Sequence, residues 1–270
     1  MSKDISRIIK VLNNKDTRLA LNNLTTNDKL VNYANFSKLW DILSNEFNVF
    51  DFYDNYQWVL KVILDTIPNL LEYFNKIPSR MFDHCEWLTE IKIPDNIIEI
   101  EQLAFNGCIN LERVIFPHTS DLIIGHYAFQ DCTQLQKILI PKNTIMYGHE
   151  VFSGCDSLKY VLIESGAKVG LNNDLFCNLT NLSYVGLPES LLYIQPSAFR
   201  TNDNLKTVDY FGTIQDWENL IYNSSKTYSG SFVYTKDQNT YKQNLNIYQR
   251  NLFAQNASVK ITCADGIFTI

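Results

Sequence analysis

The chain contains no apolar stretch approaching the about 18 residues that a membrane-spanning helix requires. Its opening, Met1 to Lys10, mixes Lys3, Asp4, Arg7 and Lys10 with single isoleucines. That pattern lacks the basic start and continuous apolar run of a secretory leader, so a soluble, cytoplasmic protein is expected, in the host cytosol or a virion if the source is viral. Excess positive charge is missing too. Lys and Arg number 23 against 29 Asp and Glu, for a formal net charge of −6. Binding to a phosphate backbone is driven by basic side chains displacing counterions, so nucleic acid is excluded as a partner. No Gly-x-Gly-x-x-Gly, Gly-x-x-x-x-Gly-Lys or Gly-x-Ser-x-Gly run occurs. No two cysteines stand at the close spacing of a zinc site. We therefore expect no enzymatic activity, no cofactor, no metal and no membrane insertion.

What is present is a repeat. The 270 residues are 46% hydrophobic and 13% aromatic, enough to bury a sizeable core. Phe82, Phe105, Phe129, Phe152, Phe176 and Phe199 recur at intervals of 23 or 24 residues. Six positions after each comes Leu88, Leu111, Leu135, Leu158, Leu182 or Leu205, and three further on Ile91, Val114, Ile138, Val161, Val185 or Val208. A second large apolar group follows two positions later, then Pro94, Pro117, Pro141 and Pro188 in four of the six units. Upstream of each later Phe, by seven and five residues, a second apolar pair recurs: Ile98 with Ile100, Leu122 with Ile124, Ile145 with Tyr147, Val169 with Leu171, Leu192 with Ile194. A unit this short cannot close a core alone. It must stack on its neighbours, so that equivalent side chains form columns with the about 4.8 Å spacing of paired strands. Two residues beyond the Phe stand Gly107, Asp131, Gly154 and Asn178, types that tolerate a left-handed backbone; His84 and Thr201, in the outermost units, depart from that choice.

The period and the Leu-x-x-Ile-x-Ile strand are those of a leucine-rich repeat. Ile100 to Pro117 resembles the BspA-like branch of that family, whose units read roughly Ile-x-x-x-Ala-Phe-x-Gly-Cys-x-x-Leu-x-x-Ile-x-Ile-Pro. The likeness spans about residues 77–211. Tyr210 to Trp217 is similar to the family's closing Gly-Thr-x-x-x-Trp element, and Val259 to Gly266 resembles its terminal strand. The resemblance implies protein or ligand binding and carries no catalytic residues. The expected architecture is an α+β leucine-rich-repeat solenoid with a parallel β-sheet, a helical N-terminal cap and a mixed C-terminal cap. Residues 1–76 form the helical cap or interaction domain, 77–211 the six BspA-like repeats, and 212–270 the C-terminal capping segment.

Residues 1–76 show helical spacing at Ile5, Ile8, Ile9 and Leu12, at Phe36, Leu39, Trp40 and Leu43, and at Trp58, Val59, Ile63 and Ile67, which reads as three or four amphipathic helices. Pro68 and Pro78 are natural boundaries. At the other end, Tyr222 to Lys236 reads as a loop or irregular hairpin, Lys236 to Gln255 as a possible helix, and Ser258 to Thr262 as a strand paired with Ile267 to Ile270 around Asp265-Gly266.

Three side-chain groups invite a chemical reading. Cys85, Cys108, Cys132 and Cys155 each follow a repeat Phe by three residues, so they form a column of buried, reduced thiols; the pairing of Cys177 and Cys263 stays open. His126 and His149 occupy one position in adjacent coils, where two imidazoles could bind a metal or sense pH, but a third strong ligand is missing. Glu99 and Glu101 read as a solvated strand edge. The functional signal lies instead on the strand residues between the core positions, which face outward on the concave side. They run Glu90 and Lys92, Arg113 and Ile115, Lys137 and Leu139, Tyr160 and Leu162, Tyr184 and Gly186, Thr207 and Asp209. Arg and Tyr are favoured where partners dock, and exposed Ile115, Leu139 and Leu162 need a reason to face water. The expected partner-binding residues are Lys92, Arg113, Ile115, Lys137, Leu139, Tyr160, Leu162 and Tyr184. The expected role is a binding scaffold or effector that grips a protein partner. The rival is a structural component of an assembly, a virion or surface appendage, attached through the N-terminal helices.

Overall fold

The computed structural model describes residues 10, 13–24, 28–46, 52–67, 69–118, 121–146, 148–167, 169–172, 174–195, 197–227 and 259–269. Among the described residues, three long helices precede the coils: α1 (Lys15–Asn22), α2 (Lys29–Glu46) and α3 (Phe52–Thr66). The helical spacings at Phe36 and at Trp58 fall on α2 and α3, while Ile5, Ile8, Ile9 and Leu12 lie outside the described residues. The side chain of Asn14 accepts the Asp16 amide to start α1.

From residue 76 the chain winds as a solenoid. One row of strands is β2 (Glu90–Lys92), β4 (Arg113–Ile115), β6 (Lys137–Ile140), β8 (Tyr160–Ile163), β10 (Tyr184–Leu187) and β12 (Thr207–Tyr210). A second row alternates with it: β1 (Lys76–Ile77), β3 (Glu99–Ile100), β5 (Leu122–Ile124), β7 (Thr144–Met146), β9 (Gly170–Leu171) and β11 (Tyr193–Ile194). Every pairing within these rows is parallel, as it must be when successive coils run in the same direction. The first row is interrupted between β4 and β6.

Between the rows lies one continuous core. The six repeat phenylalanines are fully buried and stacked nearly parallel, with centroids 4.9, 5.0, 5.6, 5.6 and 5.7 Å apart from Phe82 to Phe199. Burial of one such ring contributes about 2–3 kcal/mol, and only stacking supplies it. All five separations exceed the about 4.8 Å between paired strands, as offset stacking gives; the first strand row corresponds to the strands that line the horseshoe of such repeats.

The tight turns around each Phe are left-handed. Gly107, Asp131, Gly154 and Asn178 have positive φ as their types suggest, but so do His84 and Thr201, at 57° and 60°. The backbone therefore repeats where the residue type does not. Five coils carry a second left-handed residue two places before the Phe: Arg80, Leu103, Tyr127, Glu150 and Asp174. Apart from Asp174, nothing in those side chains announces it; the coil geometry imposes it.

The second apolar pair needs correction. Ile100, Ile124 and Met146 share one column, so in the fourth coil Met146 points inward and Ile145 is half exposed. The connection after β6 is short, which brings β7 in one residue early, and a one-residue shift reverses every side chain of a strand. Ile98 and Leu192 also face water, because turns closed by Ile97 N–H to Pro94 O and Leu191 N–H to Pro188 O aim Ile97 and Leu191 into the core instead.

Beyond the sixth coil, helix α4 (Ile214–Thr227) runs through residues 222–227, where a loop was expected; the rest of that segment and the helix expected at 236–255 lie outside the described residues. Thr213 and Asp216 form a reciprocal cap: the Asp216 amide donates to Thr213 Oγ1 at 3.1 Å, and the Thr213 amide to Asp216 Oδ2 at 3.0 Å. This Thr, together with fully buried Trp217 edge-on to Tyr210, accounts for the Gly-Thr-x-x-x-Trp spacing. Strand β13 (Lys260–Cys263) then pairs in parallel with β12, and β14 (Gly266–Thr269) folds back on it. The hairpin loop is Ala264-Asp265, one residue earlier than expected, and Asp265 accepts the Ile214 amide at 2.8 Å, tying the hairpin to α4.

The helices before the first coil are bonded to it. Tyr56 donates to Met81 O at 2.7 Å, Trp87 Nε1 to Gln57 O at 2.8 Å, and the Glu86 amide to Gln57 Oε1. Glu101 accepts from Tyr33 Oη and from the Ser79 amide, while Glu99 meets Lys76 Nζ at 2.6 Å. Glu101 is thus a shielded link between α2 and the first coils, and Glu99 is shielded beside Lys76, so the pair is not a solvated edge.

Candidate protein-binding face

Pairing register arranges the outward strand residues in two columns across the concave sheet. One is Lys137, Tyr160, Tyr184, Thr207 and Lys260, the other Leu139, Leu162, Gly186, Asp209 and Thr262. Glu90 with Arg113, and Lys92 with Ile115, occupy the equivalent places in the first two coils. In β6 and β8 exposure alternates strictly, so Ile138, Ile140, Val161 and Ile163 are held in the core while their neighbours face out.

A groove of about 450 Å³ opens on this face where the sheet parts between β4 and β6. Arg113 and Lys137 stand at one side, Ile115, Leu139 and Leu162 form the floor, and Tyr160 and Tyr184 line the far end. Tyr160 is 54% exposed, Leu139 42% and Leu162 37%. Lys92 alone among the anticipated residues lies elsewhere, in a separate cleft beside Leu70, Leu71 and Asn96, where α3 meets the first coil. Five lining residues were not anticipated: Val114, Phe116, His118, Ile138 and Pro141. Phe116 carried a signal, since it replaces Ile in its column. The larger ring packs edge-on against Phe129, at 5.8 Å, beside the interruption.

Local interactions set the side chains in place. The Tyr160 and Tyr184 rings lie 6.3 Å apart. Burial, followed by a hydrogen bond to Asp209, pushes the Tyr184 phenol up to about 12, so it stays neutral and donates to that carboxylate. Gly186 leaves room beside them, since a Cβ there would sit 2.5 Å from Leu162 Cδ1 and displace that side chain. A more polar shoulder continues the groove through Glu90, Glu112, Gln136 and Lys159. Arg113 reaches Glu90 at 3.5 Å, with both side chains more than half exposed, so that ion pair is weak and exchangeable.

The other candidate groups are structural in their bonding. All six cysteines are free and buried. The thiols of Cys108, Cys132 and Cys155 donate to the carbonyls of Phe82, Phe105 and Phe129, one coil back, at 2.9–3.3 Å. Asn202, at the same repeat position, makes the same bond to Phe176 O at 2.7 Å and accepts the Leu179 amide with its oxygen. The column is thus a row of donors as well as small apolar groups. Burial pushes the thiols of Cys85, Cys108 and Cys132 up, away from the reactive thiolate. His126 and His149 stack at 5.2 Å, with His126 Nδ1 accepting the His149 amide. No group of three or more metal-ligating side chains occurs among the described residues.

The family model described as the BspA type leucine rich repeat region matches the chain in six copies, over residues 66–169, 122–229 and 169–270. No curated protein matches the chain. Among solved structures, the leucine-rich repeat protein of T. pallidum is 27% identical over 51% of this chain and 66% of its own, with a TM-score of 0.46. A leucine-rich cell surface protein of Faecalibacterium prausnitzii is 31% identical over 49% of this chain and 34% of its own, with the same TM-score. The pneumococcal vaccine antigen PcpA is 18% identical over 56% of this chain and 37% of its own, at 0.49. The chain thus spans less than two thirds of each of these relatives.

Proposed function

The chain belongs to the BspA-type leucine-rich repeat family, and on that premise we propose that it is a non-enzymatic binding module that engages a protein partner through its concave sheet. The repeat is one that generally mediates protein interaction. One observation carries the reading to this face: seven exposed or half-exposed residues of three chemical kinds, cationic, aliphatic and phenolic, converge on a single groove. Isolated exposed apolar residues are ordinary on any surface, whereas an apolar floor rimmed by Arg and Tyr has the composition of an interface centre. Lys92 drops out of the proposed set because it lies in the other cleft.

The segments flanking the coils are read as closures of the array. The bonds from Tyr33, Tyr56 and Gln57 at one end, and from Asp265 at the other, support that assignment. Attachment to an assembly through the helices has weaker support, since Leu19 and Val62 are the large apolar residues exposed there among the described residues.

The test is partner capture with matched variants. Tyr160→Ala combined with Leu139→Glu is expected to weaken capture by at least about 30-fold, as truncation of an interface anchor does. Ile98→Glu combined with Ile145→Glu, on the other strand row, should leave it unchanged. Equal losses from both pairs, or loss from the second alone, would remove the concave face from consideration.

A further inference from the structure

The repeat region, residues 79–211, carries nine basic and sixteen acidic side chains. Yet the apolar part of the groove at its centre is lined by Arg113, Lys137 and His118 and by no carboxylate, Glu90 and Glu112 standing on the polar shoulder with Lys159. We propose that this groove takes an acidic, aliphatic segment of a partner protein, its carboxylates meeting Arg113 and Lys137 while a neighbouring Leu-like side chain rests on Ile115, Leu139 and Leu162. The proposal rests on the concave-face reading and gives its occupant a chemistry.

Arg113 and Lys137 hold equivalent positions in adjacent coils, on either side of the break between β4 and β6, and line one groove. Like charges so placed repel, and a carboxylate between them relieves that repulsion. Glu90 does so only in part, because its contact with Arg113 is long and exposed. No ion pair at Lys137 occurs among the described residues. The aliphatic column is two residues along the strand from the cations, a separation of roughly 6–7 Å. An occupant must therefore present an acid and a large apolar group at that distance, which neighbouring side chains on one face of an extended strand or a helix turn can do. Tyr184, neutral and committed to Asp209, adds no charge that would repel it. The surrounding acidity turns basic partners toward other surfaces and leaves the groove as the local attraction for an acidic one. A nucleic acid would use the two cations but leave the aliphatic floor uncovered, so the pairing of charge with apolar area favours a peptide.

The test is selection of a displayed library of short random peptides on the full-length protein. The enriched peptides are then synthesised and their affinity measured by fluorescence anisotropy. They are expected to pair Asp or Glu with a nearby Leu, Ile, Val, Met or Phe. They should weaken about tenfold or more on Lys137→Glu and on Leu139→Glu, with unchanged circular dichroism, and weaken further as salt rises. Replacing the peptide acids by Lys should restore binding to Lys137→Glu. If the enriched peptides are basic or uncharged but still depend on Leu139, the acidic occupant is wrong and the concave site stands. If no enriched peptide responds to Leu139→Glu or Tyr160→Ala, or a single-stranded oligonucleotide binds tighter than any peptide, the inference fails, and in the first case the concave reading fails with it.

Discussion

At the scale of single residues, the turns show how an array imposes a backbone on whatever side chain stands there. Thr201 is β-branched and exposed, yet its φ is 60°. A left-handed conformation costs an ordinary residue about 1–2 kcal/mol, part of which glycine returns through its greater freedom when unfolded. Thr201→Gly is therefore expected to stabilise the fold by about 0.5–1 kcal/mol, read as a higher urea midpoint with an unchanged slope. His84 occupies the same turn position in the first coil and leans over Gly107. Its Nδ1 lies 2.7 Å from Oδ1 of fully buried Asp83, which also receives Arg80 and Asn106. The hydrogen bond to Asp83 outweighs partial burial and raises the imidazole above its usual value. A raised folded pKa means stability that is fully present below the unfolded value of about 6.5 and lost as pH climbs through the folded one. The wild type should therefore lose stability between mildly acidic and mildly alkaline pH relative to His84→Gln, as chemical denaturation at each pH would report. A parallel decline in both proteins would remove His84 as the cause.

At the scale of elements, the Cys column was legible as a column but not as a set of donors. Spacing alone placed Cys85, Cys108, Cys132 and Cys155 together, while their bonds to the Phe carbonyls appear only when the coils stack. Asn202 makes the point by substitution: a polar residue in a core column looks like a defect until both ends of its amide find partners. Asn202→Ala should cost about 2–4 kcal/mol, because it strands a buried amide and weakens the satisfaction of a buried carbonyl. Thermal unfolding of Asn202→Ala beside Cys108→Ala, which loses a weaker thiol donor, should rank the two in that order. The β7 register was misread for a related reason. A count from Phe152 points to Ile145 and Tyr147, whereas the length of the connection after β6 decides that Met146 enters the column. Distance from a landmark Phe predicts a strand only when every intervening turn has the same length.

At the scale of the molecule, stability is a sum over neighbouring coils, so damage at the middle of the array is felt on both sides. Phe129 touches Phe105, Phe152 and Phe116. Phe129→Ala is expected to cost about 3–5 kcal/mol, with amide exchange accelerated through the coils on either side and not only in its own; protection lost in one coil alone would argue against coupled stacking. The six-coil winding, the Phe and Cys columns and the outward strand residues could all be read from the chain, because a period of 23 or 24 residues forces equivalent side chains together whatever the exact path between them. Tertiary structure alone decided the rest. It gathered seven outward residues into one groove at the break between β4 and β6, sent Lys92 to another cleft, turned Glu101 into a link to the helices and shielded Glu99 beside Lys76, and added β13 and β14 to the concave sheet. Periodicity determines which residues share a column, since it depends only on spacing. Where columns part, which cations stand together and what each end is bonded to depend on contacts between residues far apart in the chain, and those have no period.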